Sequence, residues 1–581
     1  MIVLGINAFH GDASAAILVD GELRAAVEEE RFERVKHWAG FPKRSVEYCL
    51  SAVGARIEDV DHVSIGRDTR AHLLDKVLYV MKKRPSTGFL RDRARNMMKV
   101  KSPGLALAAS LGVDPERLTA REHAVEHHRS HQASAYFASP FDESAIVSVD
   151  GFGDFVGAMW AVGRGNKMRV LKRVAFPHSL GLFYSAMTQY LGFPRFGDEY
   201  KVMGMSAFGE PEEAWMQKLR QVVRLTPDGG FELGLEYFEH HTRGIAMTWV
   251  GEPRYDRIFS DRLIELLGPP REAGQPVEAR HLALAACVQR RYEEAYFHIL
   301  AAASRLTGSR NLCVAGGCGQ NSLANGKVLL RGQFDELFIQ PASYDAGTAL
   351  GAALYTHHHD LDNPRRWRMQ HAFWGPGYTQ SQVEQVLREE GADYRVVSDH
   401  ELCATVARRI AEGAIVGWFQ GRMEWGPRAL GHRSILANPC RADMKDILNA
   451  RIKKRESFRP FAPAILAEAV PDYFEQSAPD PFMTKVYKIR PEKRALIPSV
   501  THVDGTGRLQ TVTRQENPTY YGVIKAFGAI TGVPVLINTS FNENEPIVCS
   551  PKQALDCFRR TPMDLLVMEN CLVERQGGGA A

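Results

Sequence analysis

Histidines with the spacing of metal ligands are the first chemical feature of the sequence. His127 and His131 stand four residues apart in VEHHRSHQASAYF, so an α-helix would place both imidazoles on one face. Two neutral imidazoles at that spacing can bind one divalent ion. The alternative is an ordinary helix face, because such pairs are common in proteins without a metal. A metal site therefore requires further ligands elsewhere in the chain.

Two acidic residues are candidates for those ligands. Asp150 ends the apolar strand AIVSVD, and Asp345 precedes a helix of small residues. Side chains at strand ends of α/β proteins tend to project into sites, although a single Asp there is more often a helix cap. Two imidazoles and two carboxylates suit Fe²⁺, Mn²⁺ or Zn²⁺ better than Ca²⁺. The pattern predicts one metal site formed by His127, His131, Asp150 and Asp345.

A glycine-rich segment is a candidate phosphate loop. VAGGCGQN indicates a strand, a loop and a helix start, and Gly316, Gly317 and Gly319 would let backbone N–H groups approach a phosphate. Lys201, in KVMGMSAFG, is a candidate second contact. The segment matches neither the P-loop nor the dinucleotide fingerprint, so a tight turn is the alternative.

Cationic and amide side chains of the C-terminal part form a second group. They alternate with aromatic residues such as Trp425 and Phe458, which is unlike a solvated charged face. Fixed guanidinium groups neutralise and hydrogen-bond small polyanions, so a triphosphate or an acyl phosphate fits better than nucleic acid. The residues of this group are Arg422, Arg428, Arg433, Lys453, Arg459, Arg508, Asn538, Ser540 and Asn542.

The elements that must position these side chains alternate between strands and helices. The first 28 residues predict three strands with a two-residue turn at Asp20–Gly21, and later strand–glycine–helix units predict an α/β fold. The polar stretch 357–372 is predicted to be a linker, with the run His357–His359 exposed. It would separate a domain at 1–356 from one at 373–575.

Composition narrows the class of protein. A chain of 581 residues is too long for one core, and 45% hydrophobic with 24% charged residues is typical of a globular enzyme. A net charge of +4 does not indicate a polyanionic partner, and no apolar run has the length of a membrane span. Nine cysteines without a C-x-x-C pair favour reduced thiols, so a cytoplasmic location is expected.

One basic run leaves a second class of partner open. Arg67–Lys101 is rich in lysine and arginine, which is compatible with an RNA-binding surface. Its apolar residues fall at helical spacing and stacking aromatics are nearly absent. A solvated helical face, or a lid over a bound substrate, is therefore the favoured interpretation.

Seven segments in the same order resemble the NodU/CmcH family of O-carbamoyltransferases, over the chain from the first strand to about residue 570. They are FHGDASAAILVDG, EEERFERVKH, HHRSHQASAYF, KVMGMSAFG, GRMEWGPRALGHRSILANP, SFRPFAPAIL and NTSFNENEPIV. The resemblance implies an actin/hexokinase-like N-terminal domain, like that of threonylcarbamoyl-transferring tRNA enzymes, and a YrdC-like α/β C-terminal domain.

The resemblance also implies a reaction in two stages. ATP with Mg²⁺ and carbamoyl phosphate would form carbamoyladenylate in the C-terminal domain. The carbamoyl group would pass internally to the N-terminal domain and to a hydroxyl of a small-molecule acceptor, such as an antibiotic or a glycoside. Fe²⁺, or another divalent ion, would be held there by His127, His131, Asp150 and Asp345.

The adenylating residues implied by the resemblance are Arg428, Lys453, Arg459, Arg508, Asn538 and Ser540, with Arg422 a weaker match. Lys453 and Arg459 would also take part in catalysis. His10, with Asp12, is the candidate base for the acceptor hydroxyl, since an imidazole titrates near neutral pH. Many relatives have His and Asp adjacent, whereas Gly11 separates them here. The placement of His10 is therefore open.

Other functions are weighed against carbamoyl transfer. An actin-superfamily sugar kinase or ATPase would explain the N-terminal half but not the arginine-rich half. A tRNA-modifying threonylcarbamoyl-type enzyme is a further alternative, and a zinc protease is the weakest because H-E-x-x-H is absent. Neither a nucleic-acid nor a membrane partner is expected. The acceptor is open, and so is the oligomeric state, a homodimer included.

Overall fold

The computed structural model describes residues 1–83, 103–244, 250–456 and 458–575. The chain forms two compact units, Met1–Met369 and Gln370–Ala581. The division between them falls within the stretch 357–372. Most of the basic run Arg67–Lys101 lies outside the described residues.

The start of the predicted linker belongs to the first unit. Tyr355–Asp360 continues the preceding helix as a π-helical turn. The prediction that the histidine run is exposed is wrong for His357 and His358, which are buried. His358 donates a hydrogen bond from Nδ1 to the carbonyl of Asn363, 3.1 Å away, which ties this turn to the chain after it.

The strands of the first unit, in chain order, are β1 (Ile2–Asn7), β2 (Ser14–Val19), β3 (Glu22–Glu28), β4 (His62–Ile65), β5 (Arg121–Ala124), β6 (Glu143–Gly153), β7 (Val156–Arg164), β8 (Lys167–Ala175), β9 (Val223–Leu225), β10 (Phe231–Leu233), β11 (Asn311–Ala315) and β12 (Glu336–Phe338). The predicted turn at Asp20–Gly21 is present: both residues have positive φ, 52° and 83°, as a tight hairpin requires.

Within the described ranges, two sheets of this unit repeat one topology. Their strand orders are β3-β2-β1-β4-β5 and β12-β11-β6-β7-β8. In each, a three-stranded antiparallel meander is extended by two parallel strands on the side of its first strand. This duplicated arrangement is that of the actin/hexokinase-like fold, so the fold prediction for the first unit is confirmed.

The α-helices of the first unit are α1 (Glu30–Glu33), α2 (Lys43–Ala52), α3 (Leu73–Lys83), α4 (Pro103–Leu111), α5 (His127–Tyr136), α6 (Leu180–Tyr190), α7 (Glu199–Met205), α8 (Glu213–Val222), α9 (Asp261–Leu267), α10 (Ala279–Thr307), α11 (Ser322–Asn325) and α12 (Gly347–Leu354). α12, GTALGAAL, is buried throughout. A Cβ added at Gly351 would overlap the carbonyl oxygen of Ser130 in α5, and one at Gly5 in β1 would overlap that of Ala349. Small residues therefore let α12 lie against both α5 and β1.

The strands of the second unit are β13 (Arg395–Val396), β14 (Val416–Phe419), β15 (Arg433–Ala437), β16 (Ala462–Leu466), β17 (Tyr487–Lys488), β18 (Thr506–Gly507), β19 (Gln510–Val512), β20 (Val535–Ser540), β21 (Leu565–Met568) and β22 (Cys571–Glu574). Its helices are α13 (Gln380–Glu389), α14 (Asp399–Ala411), α15 (Met444–Ile447), α16 (Val470–Tyr473), α17 (Pro491–Arg494), α18 (Pro518–Thr531) and α19 (Pro551–Arg560), with a π-helical turn at Leu448–Lys453.

A mixed sheet forms the centre of the second unit, in the order β13-β22-β21-β14-β15-β20-β16-β19. Many of its apolar residues, among them Trp418, Ile435 and Leu536, are fully buried in one core. The unit is thus an α/β domain, as predicted for the YrdC-like module. None of the helices in the described ranges has the length and apolar character needed to cross a lipid bilayer.

Candidate metal centre and anion site

The N-terminus of α5 fixes the two predicted histidine ligands. The Glu126 carboxylate accepts a hydrogen bond from the backbone N–H of Arg129 and so caps the helix. The carboxylate of Asp154 accepts one from the backbone N–H of His127 at 2.9 Å. A Cβ at Gly153 would overlap the His127 ring, so that imidazole packs directly on the glycine backbone. The start of α5 and the turn between β6 and β7 together fix the orientation of the His127 side chain.

The four predicted metal ligands lie together. The Nε2 atoms of His127 and His131 are 3.0 Å apart. Asp150 Oδ2 lies 3.3 and 3.7 Å from these two nitrogens, and Asp345 Oδ1 lies 3.6 and 3.4 Å from them. Donor atoms bound about 2.1 Å from a tetrahedral ion lie about 3.4 Å from one another. The spacing therefore fits one divalent ion, and the nitrogen–oxygen donor set fits a transition metal.

The glycine loop orients one of these ligands. Gly317 N–H donates to Asp150 Oδ1 at 2.7 Å, which turns the other oxygen, Oδ2, towards the histidines. The N–H groups of Gly316 and Gly319 are engaged by the carbonyls of Ser343 and Gly316. The predicted phosphate cradle is therefore not supported, because its amide groups already have backbone or carboxylate acceptors. The loop instead supplies the supporting hydrogen bond that metal-binding carboxylates commonly have.

Opposite charges dominate the electrostatics of the cluster. Burial works against the protonated form of His131, but Asp150 and Asp345 outweigh it and raise the pKa of His131 to about 9. Burial also works against the ionised form of Asp150, yet its contacts with His127 and His131 hold its pKa well below the usual value. The carboxylates are therefore ionised at neutral pH, and a bound cation would replace the proton between the rings.

Gly11 separates two side chains with different partners. His10 Nδ1 lies 3.0 Å from Asp345 Oδ2, and the His10 ring stacks edge-on to that of His127. Asp12, with φ of 61°, instead accepts a hydrogen bond from His37 Nδ1 at 2.7 Å. His10 thus lies beside the metal cluster, as its predicted role requires, whereas Asp12 belongs to a neighbouring ion pair. His37 was not identified from the sequence.

Lys201 has an acidic partner of its own. Its ammonium lies 2.9 Å from Asp198 Oδ1, one helical turn away, and over the ring of Phe193. This arrangement does not support the prediction that Lys201 binds a phosphate, because Asp198, three residues earlier in the chain, already neutralises its charge.

In the second unit, Lys453 contacts two of the predicted polar residues, Ser540 and Asn542. It is 1% exposed, and its ammonium donates to the carbonyls of Ser540 and Asn542 at 2.5 and 2.8 Å and to Asn542 Oδ1 at 2.8 Å. The Ser540 hydroxyl also donates to Asn542 Oδ1. The π-helical turn that ends at Lys453 is thereby fixed to the end of β20.

Three guanidinium groups of this unit, those of Arg428, Arg455 and Arg508, are close enough to interact electrostatically. Burial, and then the neighbouring charges of Arg428 and Arg455, hold the pKa of Arg508 well below its usual value. Asp480 acts in the opposite direction, but its oxygens accept hydrogen bonds from Thr484 and Lys485. Cations held near one another repel, so their arrangement is stabilised when an anion binds among them.

Two arginines of the segment GRMEWGPRALGHRSILANP, Arg422 and Arg433, have structural roles. Arg422 donates to the carbonyls of Trp374 and Gly375 at 2.6 and 3.1 Å, which fixes the first segment of the unit. Arg433 is fully buried, lies over the Phe419 ring, and donates to the carbonyls of Gln420, Gly421 and Pro376. The prediction that Arg422 binds the polyanion is therefore not supported.

The remaining predicted residues border the cation cluster. Arg459 Nε lies 2.8 Å from a Glu456 oxygen, and its carbonyl accepts a hydrogen bond from Asn449. Asn538 is buried in β20 and donates to the carbonyl of Ala429, next to Arg428. Glu424 and Gln510, which the sequence analysis did not identify, are buried among these segments. Their only signal in the sequence was that each lies within four residues of a predicted arginine.

Comparisons with known proteins agree over most of the chain. The family description "Carbamoyltransferase N-terminus" matches residues 2–354, and "Carbamoyltransferase C-terminus" matches residues 407–575. Nodulation protein NolNO of Sinorhizobium fredii is 40% identical, over 98% of this chain and 80% of its own. The 3'-hydroxymethylcephem-O-carbamoyltransferase of Streptomyces clavuligerus is 29% identical, over 72% of this chain and 74% of its own.

Among solved structures, component A of the (R)-2-hydroxyglutaryl-CoA dehydratase of Acidaminococcus fermentans aligns with 62% of this chain and 100% of its own, at 13% identity and a TM-score of 0.35. That similarity is too weak to support an inference about this chain. The two family matches do support an inference, because together they cover most of both units. The chain belongs to the carbamoyltransferase family, and it is an enzyme that transfers carbamoyl groups.

Proposed function

We propose that the protein is an ATP-dependent O-carbamoyltransferase that works in two stages. In the second unit, water hydrolyses carbamoyl phosphate to carbamate and phosphate, and a carbamate oxygen then displaces pyrophosphate from the α-phosphorus of ATP to give carbamoyladenylate. In the first unit, the carbamoyl group is transferred from carbamoyladenylate to a hydroxyl of a small acceptor, with AMP as the leaving group. The name of the Streptomyces clavuligerus relative, an O-carbamoyltransferase, supports oxygen as the acceptor atom.

The observation that carries the first stage is the cluster formed by Arg428, Arg455 and Arg508. Carbamoyl phosphate and ATP are polyanions, and both lose a phosphate-type leaving group on which negative charge develops. Guanidinium groups that are already held together neutralise that charge without further reorganisation. Burial and the charges of Arg428 and Arg455 lower the pKa of Arg508, and an anion bound among these groups would offset their mutual repulsion. Lys453, anchored by Ser540 and Asn542, holds the backbone next to it.

The second stage is assigned to the cluster of His127, His131, Asp150 and Asp345. A divalent ion held there supplies Lewis-acid polarisation of an acyl or phosphoryl oxygen. His10 donates through Nδ1 to Asp345, which leaves Nε2 to accept the proton of the acceptor hydroxyl. Asp345 therefore orients the base as well as contributing to the metal-ligand set.

The kinase alternative gains no support from the glycine loop. A kinase would use the glycine loop to hold phosphates, but the amides of Gly316, Gly317 and Gly319 are engaged by the chain itself. The tRNA-modifying alternative depends on Arg67–Lys101, of which the described residues include only the first part.

The test needs no acceptor. The purified protein is incubated with carbamoyl phosphate, Mg²⁺ and ATP labelled at the α-phosphate. Carbamoyladenylate and pyrophosphate are expected, and both should depend on carbamoyl phosphate. Formation of ADP without carbamoyl phosphate would instead indicate a kinase or ATPase.

A further inference from the structure

A buried carboxylate organises the turn that carries Arg428. Glu424 is 1% exposed, and its Oε1 accepts hydrogen bonds from the backbone N–H groups of Leu430, His432 and Arg433 at 2.7, 2.8 and 3.1 Å. An ionised carboxylate is costly to bury unless it is hydrogen-bonded in this way. The three bonds close the segment 424–433 into one turn with Arg428 inside it.

Gln510 connects that turn to two strands. It is 4% exposed, and its amide donates from Nε2 to the carbonyl of Leu430 at 2.8 Å. Its Oε1 accepts from Asn538 Nδ2 at 2.6 Å, and the same Asn538 amide donates to the carbonyl of Ala429 at 3.0 Å. One side chain in β19 thereby joins the turn to β20.

Each of the three connected segments carries a residue of the anion site. Arg428 precedes Ala429 in the turn, Arg508 lies two residues before Gln510, and Ser540 lies two residues after Asn538. Leu430 and Gln510 also line the same small pocket in this unit. The network therefore sets the distances between groups that come from distant parts of the sequence.

We infer that Glu424 and Gln510 are positioning residues of the adenylating site, which hold the Arg428 turn, the Arg508 segment and β20 at the spacing that the polyanion requires. The inference rests on the proposed adenylation. Neither residue needs to contact a reacting atom. A displacement of about 1 Å at a charged contact can lower a rate by about 100-fold, so loss of the network is expected to act on catalysis.

The test compares Gln510→Leu with Gln420→Leu. Gln420 is buried in the same unit and donates to one backbone carbonyl, that of Glu569, so its replacement removes a comparable hydrogen bond outside the network. Circular dichroism first checks that each variant is folded at 25 °C. Pyrophosphate release from ATP and carbamoyl phosphate is then measured at the same temperature. We expect kcat/KM for ATP to fall at least about tenfold in Gln510→Leu and much less in Gln420→Leu. Equal losses in the two variants would overturn the inference.

A second pair covers the case in which Gln510→Leu does not fold. Glu424→Gln keeps an acceptor oxygen for the three backbone N–H groups, whereas Glu424→Ala removes it. Adenylation should be retained within about threefold in Glu424→Gln and lost in Glu424→Ala. If Glu424→Ala forms adenylate as fast as the parent protein, the network does not position the site. If the parent protein itself forms no adenylate, the proposed function fails, and this outcome is distinct from an effect of the variants.

Discussion

At the residue scale, the candidate metal site consists of four side chains that the chain brings together from three separate regions. The Asp150 carboxylate accepts a hydrogen bond from the backbone N–H of Gly317, and the backbone N–H of His127 donates one to the carboxylate of Asp154. Such supporting contacts fix ligand orientation before any ion binds. Removal of one ligand should therefore abolish binding without loss of the fold.

The first prediction concerns His131→Ala. This variant should bind Fe²⁺ more than about 100-fold more weakly than the parent protein, because it loses a ligand rather than only a supporting hydrogen bond. Anaerobic titration with Fe²⁺, followed by metal analysis, measures the change. His358→Asn, which removes a buried imidazole elsewhere in the unit, is the control and should bind Fe²⁺ normally. Equal affinity in His131→Ala would contradict the ligand assignment.

A second prediction at this scale concerns pH. Burial lowers the pKa of His432 to about 4, against about 6.5 in the unfolded chain, so the folded state requires the neutral ring. Its contribution to stability is complete above pH 6.5 and is lost as the pH falls towards 4, by up to about 1.4 kcal/mol per pH unit.

Urea unfolding at several pH values between 7.5 and 4.5 measures this effect. His432→Gln should show a smaller loss of unfolding free energy on acidification than the parent protein, since it has no ring to protonate. Replacement of the exposed His400 by Gln is the matched control. The same pH slope in His432→Gln and the parent protein would show that this ring does not contribute.

At the element scale, close helix packing places the ligands. α12 begins just after Asp345, and its small residues let it lie directly on α5, which carries His127 and His131. The composition of GTALGAAL is therefore a requirement of the site as well as of the fold.

Gly351→Ala tests this packing. Its Cβ would overlap the carbonyl oxygen of Ser130, and backbone on both sides leaves little room for adjustment. We expect the free energy of unfolding to fall by about 1–3 kcal/mol and metal affinity to fall with it. Thermal or urea unfolding measures the change in stability. Gly151→Ala, where the added Cβ meets open space, is the control and should be as stable as the parent protein. Equal stability of both variants would argue against tight packing of α12 on α5.

Local signals in the sequence predicted the elements better than their contacts. Periodicity and the Asp20–Gly21 turn predicted the first three strands correctly, and residue type grouped the four candidate ligands. For the glycine loop the sequence left a phosphate cradle and a tight turn open, because no local pattern shows that its N–H groups are already engaged. Gln510 and Glu424 were missed for the same reason, since their partners lie in other segments of the chain.

At the scale of the whole molecule, two compact units carry two different kinds of site. The first unit holds a nitrogen–oxygen cluster suited to a divalent metal. The second holds a cation cluster suited to phosphates. Because each site is built from residues of a single unit, damage to one should leave the chemistry of the other intact.

The most direct test of the two-stage account measures carbamoyladenylate in Arg508→Gln and His131→Ala side by side. Both are supplied with carbamoyl phosphate, Mg²⁺ and α-labelled ATP, and no acceptor is added. The account predicts that Arg508→Gln forms no adenylate, whereas His131→Ala forms it at the rate of the parent protein and lacks only bound metal. Loss of adenylate in His131→Ala, or normal adenylate in Arg508→Gln, would contradict the assignment of the two stages to the two units.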